Sequence, residues 1–293
     1  DPALAADPAL TTGPAINTAT GPTLATSAAR FFGPLLVPQK DKAFGLDQAD
    51  VLTSDDRRFT QLSRVYYGAN VVNNDEPIYG DGTTYGGTQL LLATKFQPLL
   101  MLYIRYYVRF PADFDWVKGG NLPGLYGVNV KDGKISPGDG GFAVRIAWRK
   151  KGYGAVNAYL PNAPNHLKTF AKNAWAWNPG VWTCVELGLR LNTPGLANGA
   201  ASVWIDNAPA YHEQNLELRV SDKPHIGGLA FTTYFGGGDL SWEPPFSQSA
   251  DFAGFAVGPA RIGPIAAPRP AATQTRAAVP SASRTAVSPT AAG

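Results

Sequence analysis

Between residues 142 and 149, large apolar side chains fall on every second position. Phe142, Val144, Ile146 and Trp148 alternate with Ala143, Arg145, Ala147 and Arg149. A period of two belongs to a strand with one face buried. Val156, Ala158 and Leu160 repeat it against Asn157 and Tyr159, and strand-like runs recur at 99–110, 181–191, 201–206, 226–235 and 251–257. Turn signals separate them: Asp132-Gly133, Pro137-Gly138, Lys151-Gly152, Asn178-Pro179-Gly180, Pro194-Gly195 and Gly236-Gly237-Gly238. Only short helices are expected, around 46–63 or 166–173. Many short strands at this spacing predict an all-β fold, a jelly-roll sandwich of two antiparallel sheets.

The alternation fades at both ends. Residues 1–28 are rich in Ala, Pro, Thr and Gly, and Asp1-Pro2-Ala3-Leu4 recurs as Asp7-Pro8-Ala9-Leu10. This stretch reads as an extended or loosely ordered arm. Residues 263–293 are Ala-, Pro-, Ser- and Thr-rich and read as a linker or tail. The folded body is therefore expected over 29–262. Its composition agrees: 32 glycines and 25 prolines suit a turn-rich β fold, and 44% apolar residues supply a core.

Charge changes the picture only once it is divided. The chain carries a net +3, but Arg261, Arg269, Arg276 and Arg284 all lie in the last 33 residues, which hold no acid. Without those four, 21 basic residues face 22 acidic ones, a net of −1. No global basic field is available for nucleic acid, so a polyanion would have to be met by a local cluster of cations. No apolar run reaches about 18 residues, so no membrane span is expected. The N-terminus lacks a basic start and an apolar stretch; a secretory signal, had there been one, would already be removed. Cys184 is the single cysteine and lies in the apolar run Val181–Val185, which excludes an internal disulfide and reads as a buried thiol.

The hairpin at 141–160 carries the best candidate chemistry. A five-residue loop, Lys150–Gly154, would place Arg149 opposite Ala155, Ala147 opposite Asn157 and Arg145 opposite Tyr159, all on the face away from the core. A guanidinium beside a phenol favours phenolate, which lowers the tyrosine pKa from its usual value of about 10 and makes a base. The plain alternative is surface decoration, since Arg and Tyr pair across sheets through cation–π and stem contacts.

Three ordered motifs resemble a known family. Val108-Arg109-Phe110-Pro111, followed by Phe114-Asp115-Trp116-Val117-Lys118-Gly119-Gly120-Asn121-Leu122-Pro123-Gly124-Leu125-Tyr126-Gly127, is similar to the signature of polysaccharide lyases of families 14 and 20. Arg145-Ile146-Ala147-Trp148-Arg149, with Gly152, Gly154 and Tyr159, resembles their R-x-x-W-R-x-x-G-x-G-x-x-x-x-Y hairpin. Tyr234-Phe235-Gly236-Gly237-Gly238-Asp239 with Ser241-Trp242 resembles their late turn. These span about 108–258.

The resemblance implies alginate or glucuronan lyases, a jelly roll with a concave groove for a uronate chain, and β-elimination without a metal. It matches Arg145 to the family's arginine and Tyr159 to its catalytic tyrosine. Two positions depart: Asn121 stands where a second lysine is common, and Asn157 where some members have a tyrosine. On this basis Tyr159 is expected as general base and acid. Arg145 would tune it and bind carboxylate, with Asn121 and Lys118 engaging the carboxylate. Arg149, Asn157 and Gln89 are the expected substrate-binding residues along the groove. No cofactor or metal is expected, because His166, His212 and His225 are scattered without ligand spacing. The expected partner is an acidic polysaccharide, with no nucleic acid or membrane, and the expected state is a secreted monomer. Two other readings stay open. One is a non-catalytic carbohydrate-binding or wall-structural protein, favoured by Asn121 and the low-complexity ends. The other is a glycoside hydrolase, for which Glu186 and Glu243 would be the first carboxylates to consider.

Overall fold

The structure, a computed structural model, describes residues 21–72, 86–96, 99–129, 141–237 and 239–266. Helix α1 (Leu24–Phe32) comes first. Among the described residues fourteen strands follow: β1 (Leu36–Phe44), β2 (Ala49–Thr53), β3 (Gln61–Tyr67), β4 (Gly87–Thr94), β5 (Met101–Arg109), β6 (Gly119–Asn129), β7 (Phe142–Arg149), β8 (Tyr153–Tyr159), β9 (Leu167–Phe170), β10 (Thr183–Arg190), β11 (Gly199–Ile205), β12 (Ala208–Leu216), β13 (Pro224–Phe235) and β14 (Gln248–Gly258). They form two seven-stranded antiparallel sheets, ordered β1-β4-β13-β6-β7-β8-β9 and β12-β11-β10-β5-β14-β3-β2. This is the expected jelly-roll sandwich.

The inward side chains of the two sheets make the core. Leu90, Leu92, Leu125, Val144, Ile146, Trp148, Val156, Phe231 and Phe235 of the first sheet belong to one cluster with Leu102, Ile104, Tyr106, Val108, Val185, Leu187 and Phe252 of the second. Trp148 is wholly buried, with Phe110, Phe114 and Phe235 edge-on around it. Filling every second position of β7 with such side chains commits its other positions to the opposite face.

Several expectations need correction. Residues 46–63 hold β2 and the start of β3, and 166–173 hold β9, where helices were expected. Pairing decides both cases: Ala49–Thr53 ladders with β3, and Leu167–Phe170 with β8. The helix that does form begins inside the stretch read as an extended arm. Its Leu24, Ala28 and Phe32 enter the core at i, i+4 and i+8, so the folded body starts by Leu24. At the other end the body continues to Ile265. The amides of Ile262 and Gly263 donate to Glu186 (2.6 and 3.0 Å), and that of Ile265 donates to the Tyr107 hydroxyl (2.8 Å). The turns at 132–133 and 137–138, Gly238, residues 1–20 and residues 267–293 lie outside the described residues.

Candidate active site

Antiparallel register arranges the outward side chains of the first sheet in rows. One row runs Leu91, Ala230, Gly124, Arg145, Asn157, Thr169 across β4, β13, β6, β7, β8 and β9. The next, toward the end of β7, reads Gly87, Tyr234, Asn121, Ala147, Ala155, and the one toward its start reads Ala93, Gly228, Tyr126, Ala143, Tyr159, Leu167. Small residues alternate with large polar ones, which leaves room for the polar side chains to lean across the strands. Arg145 leans over Gly124, where a Cβ would stand only 2.1 Å from the Val144 carbonyl oxygen, so no side chain obstructs its path.

Arg145 thereby meets two phenols. Its guanidinium carbon lies 5.2 Å from the centroid of the Tyr159 ring, and its Nη1 donates to the Tyr234 hydroxyl at 3.1 Å. Its Nε is buried without a partner among the described residues. Alongside, Asn157 Nδ2 donates to Asn121 Oδ1 at 3.0 Å, over the small Ala147, and Thr169 Oγ1 donates to Asn157 Oδ1 at 3.0 Å. Both asparagines are buried, while Arg145, Tyr159 and Thr169 are half-buried. Leu91, Tyr126, Ala143 and Ala230 form a small apolar floor beside Tyr159. None of the strand positions in these rows is a carboxylate.

The hairpin register differs from expectation by two residues. Tyr159 pairs with Ala143, Asn157 with Arg145, Ala155 with Ala147, and Tyr153 with Arg149. The loop is three residues, Lys150–Gly152, because Lys151 (φ 65°) and Gly152 (φ 76°) close it tightly enough for Tyr153 and Gly154 to join the ladder. A slip of two keeps every side chain on its expected face. Arg145 therefore still reaches Tyr159, but on the diagonal.

The electrostatic expectation for Tyr159 also needs correction. Its pKa is raised above 10: burial is the main cause, and the Tyr234 phenol adds to it, while Arg145 pulls in the opposite direction. A neutral phenol is the resting form.

Lys118 does not join this cluster. It is exposed, its Nζ donates to Ser241 Oγ, and Ser241 Oγ donates to Asp239 Oδ1. The next residue, Gly119, pairs with Arg149, six residues along β7 from the partner of Tyr159, a span of about 20 Å at 3.3–3.4 Å per residue. Lys118 and Arg149 instead flank the Trp242 ring, at 5.9 and 5.6 Å from its centroid. Gln89 is half-buried on the same face, opposite Thr232 on β13 and thus on the far side of Tyr234.

Other candidates fall elsewhere. Glu186 lies on the outer side of the second sheet, buried under the 261–265 segment whose amides it binds, so it cannot pair across the Arg145 face with any carboxylate. Of the three tyrosines on β5, Tyr106 is core, and Tyr103 and Tyr107 face outward from the second sheet, where they are remote from Arg145. A shallow cavity of about 320 Å³ on that sheet contains Arg64 and Arg109, but both are already paired with Asp251, and Arg109 also with Asp55. Among the described residues, no group of three or more His, Cys, Asp or Glu is placed to hold a metal.

With this geometry in view, the comparisons with known proteins are specific. The sequence model of polysaccharide lyase 14 matches residues 57–255, about two thirds of the chain. The chain belongs to polysaccharide lyase family 14. Its fold is similar to that of a marine alginate lyase of this family from Aplysia kurodai (TM-score 0.66, 21% identity, covering 81% of this chain and 93% of that one). It is also similar to an alginate lyase from Chlorella virus (TM-score 0.60, 20% identity, covering 73% and 89%) and to an endo-β-1,4-glucuronan lyase from the fungus Trichoderma reesei (TM-score 0.51, 14% identity, covering 78% and 93%). No curated protein sequence matches the chain.

The family-14 signature has a mechanical explanation here. Gly119 sits at φ 141°, and a Cβ on Gly120 would stand 2.1 Å from the Trp148 ring, so only glycines let β6 pass over that indole and deliver Asn121 to the outer face. The β6 ladder then bulges between Asn121 and Gly124, and the freed carbonyl of Pro123 accepts from Tyr106 Oη at 3.2 Å. Two members of this candidate site were not singled out as site residues from the sequence: Tyr234, quoted only within the late-turn motif, and Thr169. The alternation Ala230, Thr232, Tyr234 on β13 was the available signal for the first.

Proposed function

We propose that this family-14 member cleaves an acidic, uronate-containing polysaccharide by β-elimination, with Tyr159 as the proton-transfer residue. One observation carries the reading: a guanidinium lies against one phenol and hydrogen-bonds a second, among three outward rows of described strand residues that hold no carboxylate. A uronate carboxylate there would meet Arg145 and the Asn121 amide without competing acids. Neutralising that carboxylate acidifies the C5 proton. Tyr159, once ionised, takes the C5 proton; the electron pair forms the C4–C5 double bond and the C4–O4 bond breaks. The proton returns to O4 from the same phenol. Arg149, Lys118 and Trp242 would hold the chain farther along the face. Alginate and glucuronan, the substrates named for structurally similar lyases, are the first to test, and a polymer of this kind places the work outside the cell.

A second reading, glycan binding without cleavage, draws on two observations. Burial holds Tyr159 protonated, and the neutral Asn121 stands where a lysine is common. A panel of polyuronates separates the readings. Cleavage gives unsaturated ends that absorb in the ultraviolet, and Tyr159→Phe should reduce their formation by about 10²–10⁴-fold. Saturable binding with no unsaturated product from any polyuronate would establish the second reading instead.

A further inference from the structure

Among the described residues, Asn121 is bonded on one edge only. Its Oδ1 accepts from Asn157 Nδ2, and Asn157 in turn uses its own Oδ1 to accept from Thr169. The three side chains come from β6, β8 and β9 and span four adjacent strands, passing over Ala147 on β7. An isolated carboxamide could present either edge to a ligand, and the two are chemically opposite: NH₂ attracts a carboxylate, and C=O repels it. A hydroxyl can donate or accept, and here the Thr169 hydroxyl donates, which selects the Asn157 C=O edge. By donating to Asn157 it leaves Asn157 only its NH₂ edge for Asn121, which in turn leaves Asn121 only its NH₂ edge for the open face.

We infer that Thr169 is a positioning residue which, through Asn157, fixes the Asn121 amide with its NH₂ turned outward, so that this chain binds the uronate carboxylate with an oriented neutral donor. The inference rests on the lyase reading for its substrate class. It explains why two asparagines occur together: Asn157 is the length that reaches Asn121 over an alanine, and neither residue alone would have a defined orientation. Burial strengthens the effect, since a misdirected amide at this depth cannot turn to water for compensation.

The test replaces the hydroxyl while keeping shape. Thr169→Val should lower kcat by about 10- to 100-fold on the cleaved polyuronate, a loss of the size that misplacing a reacting group produces. Thr169→Ser, which keeps the donor, should restore it, and the melting temperatures of both should match the parent. Equal impairment of the Val and Ser variants would show that Thr169 merely fastens β9, and wild-type kcat in the Val variant would also overturn the inference. Should the parent yield no unsaturated product, the lyase reading falls, and affinity for a uronate trisaccharide by calorimetry becomes the readout. Weaker binding by the Val variant, restored in the Ser variant, then sustains the relay. Unchanged affinity, or no binding by the parent, overturns it.

Discussion

Arg145 is surrounded by neutral groups: a phenol ring, a phenol oxygen, two amides and a glycine. A cation in this setting keeps its field for whatever enters the face, and it also lowers the Tyr159 pKa, offsetting part of the rise that burial and the Tyr234 phenol produce. Arg145→Ala should therefore reduce kcat/KM by about 10²–10³-fold, the usual loss for one preorganised donor, and move the alkaline limb of the profile to higher pH. Initial rates across pH read both effects together; a rate loss without the shift would separate Arg145 from Tyr159. Alternation along β7 and β8 was enough to place Arg145, Arg149, Asn157 and Tyr159 on one face. It could not supply the register, which depends on a positive φ at Lys151, nor partners such as Tyr234 and Thr169, whose strands lie far away in sequence or at the sheet edge. The sign of the Tyr159 shift was equally hidden, because burial is a property of Leu91, Tyr126 and Ala230 around it and not of the hairpin.

At the scale of elements, the site is positioned by close backbone contacts that only glycine permits. A Cβ on Gly154 would stand 1.9 Å from the Trp175 indole, and the amide of Gly154 donates to the Trp175 carbonyl at 2.8 Å. Gly154→Ala should destabilise the fold by about 1–3 kcal/mol through overpacking, and it should loosen β8 where it carries Asn157 and Tyr159. Denaturant unfolding measures the first effect, and a fall in kcat that persists well below the unfolding midpoint measures the second. The segment after β14 depends on one carboxylate in a comparable way. Glu186→Ala would strand the amides of Ile262 and Gly263 and should cost about 1–3 kcal/mol while leaving kcat intact, since the first sheet is not involved. Elements of this kind differ in how well the sequence foretells them. Strands with strong alternation were legible; α1 was not, because its buried positions Leu24 and Ala28 sit in an alanine-rich stretch that supplies little contrast. The 46–63 stretch went to strand because its inward residues Ala49 and Val51 find a neighbour in β3, a tertiary gain that local propensity does not contain.

For the molecule as a whole, activity and stability pull apart at alkaline pH, and both do so through tyrosine. Burial raises the pKa of Tyr126 to about 12 and those of Tyr67 and Tyr106 still further, each from an ordinary value of 10.0. Below about pH 9 these phenols are protonated in both folded and unfolded chains, so they add no pH dependence there. From about pH 9 up to their folded-state values the unfolded chain gives up protons that the native chain keeps, so stability falls as pH rises. Tyr159 obeys the same sign, yet its proposed role requires the ionised form, whose fraction grows tenfold per pH unit below its pKa. We therefore expect kcat/KM to climb steadily from pH 7 toward 10, while the melting temperature stays level to about pH 8 and then declines as the unfolded Cys184 thiol and then the phenols ionise, and activity to collapse above pH 10 together with the fold. Paired rate and thermal-melt series on one buffer set would resolve the two limbs. A rate that is flat from pH 7 to 10 would show that no phenolate of raised pKa takes the C5 proton. Tyr159 would then keep only its place beside Arg145 as a binding group.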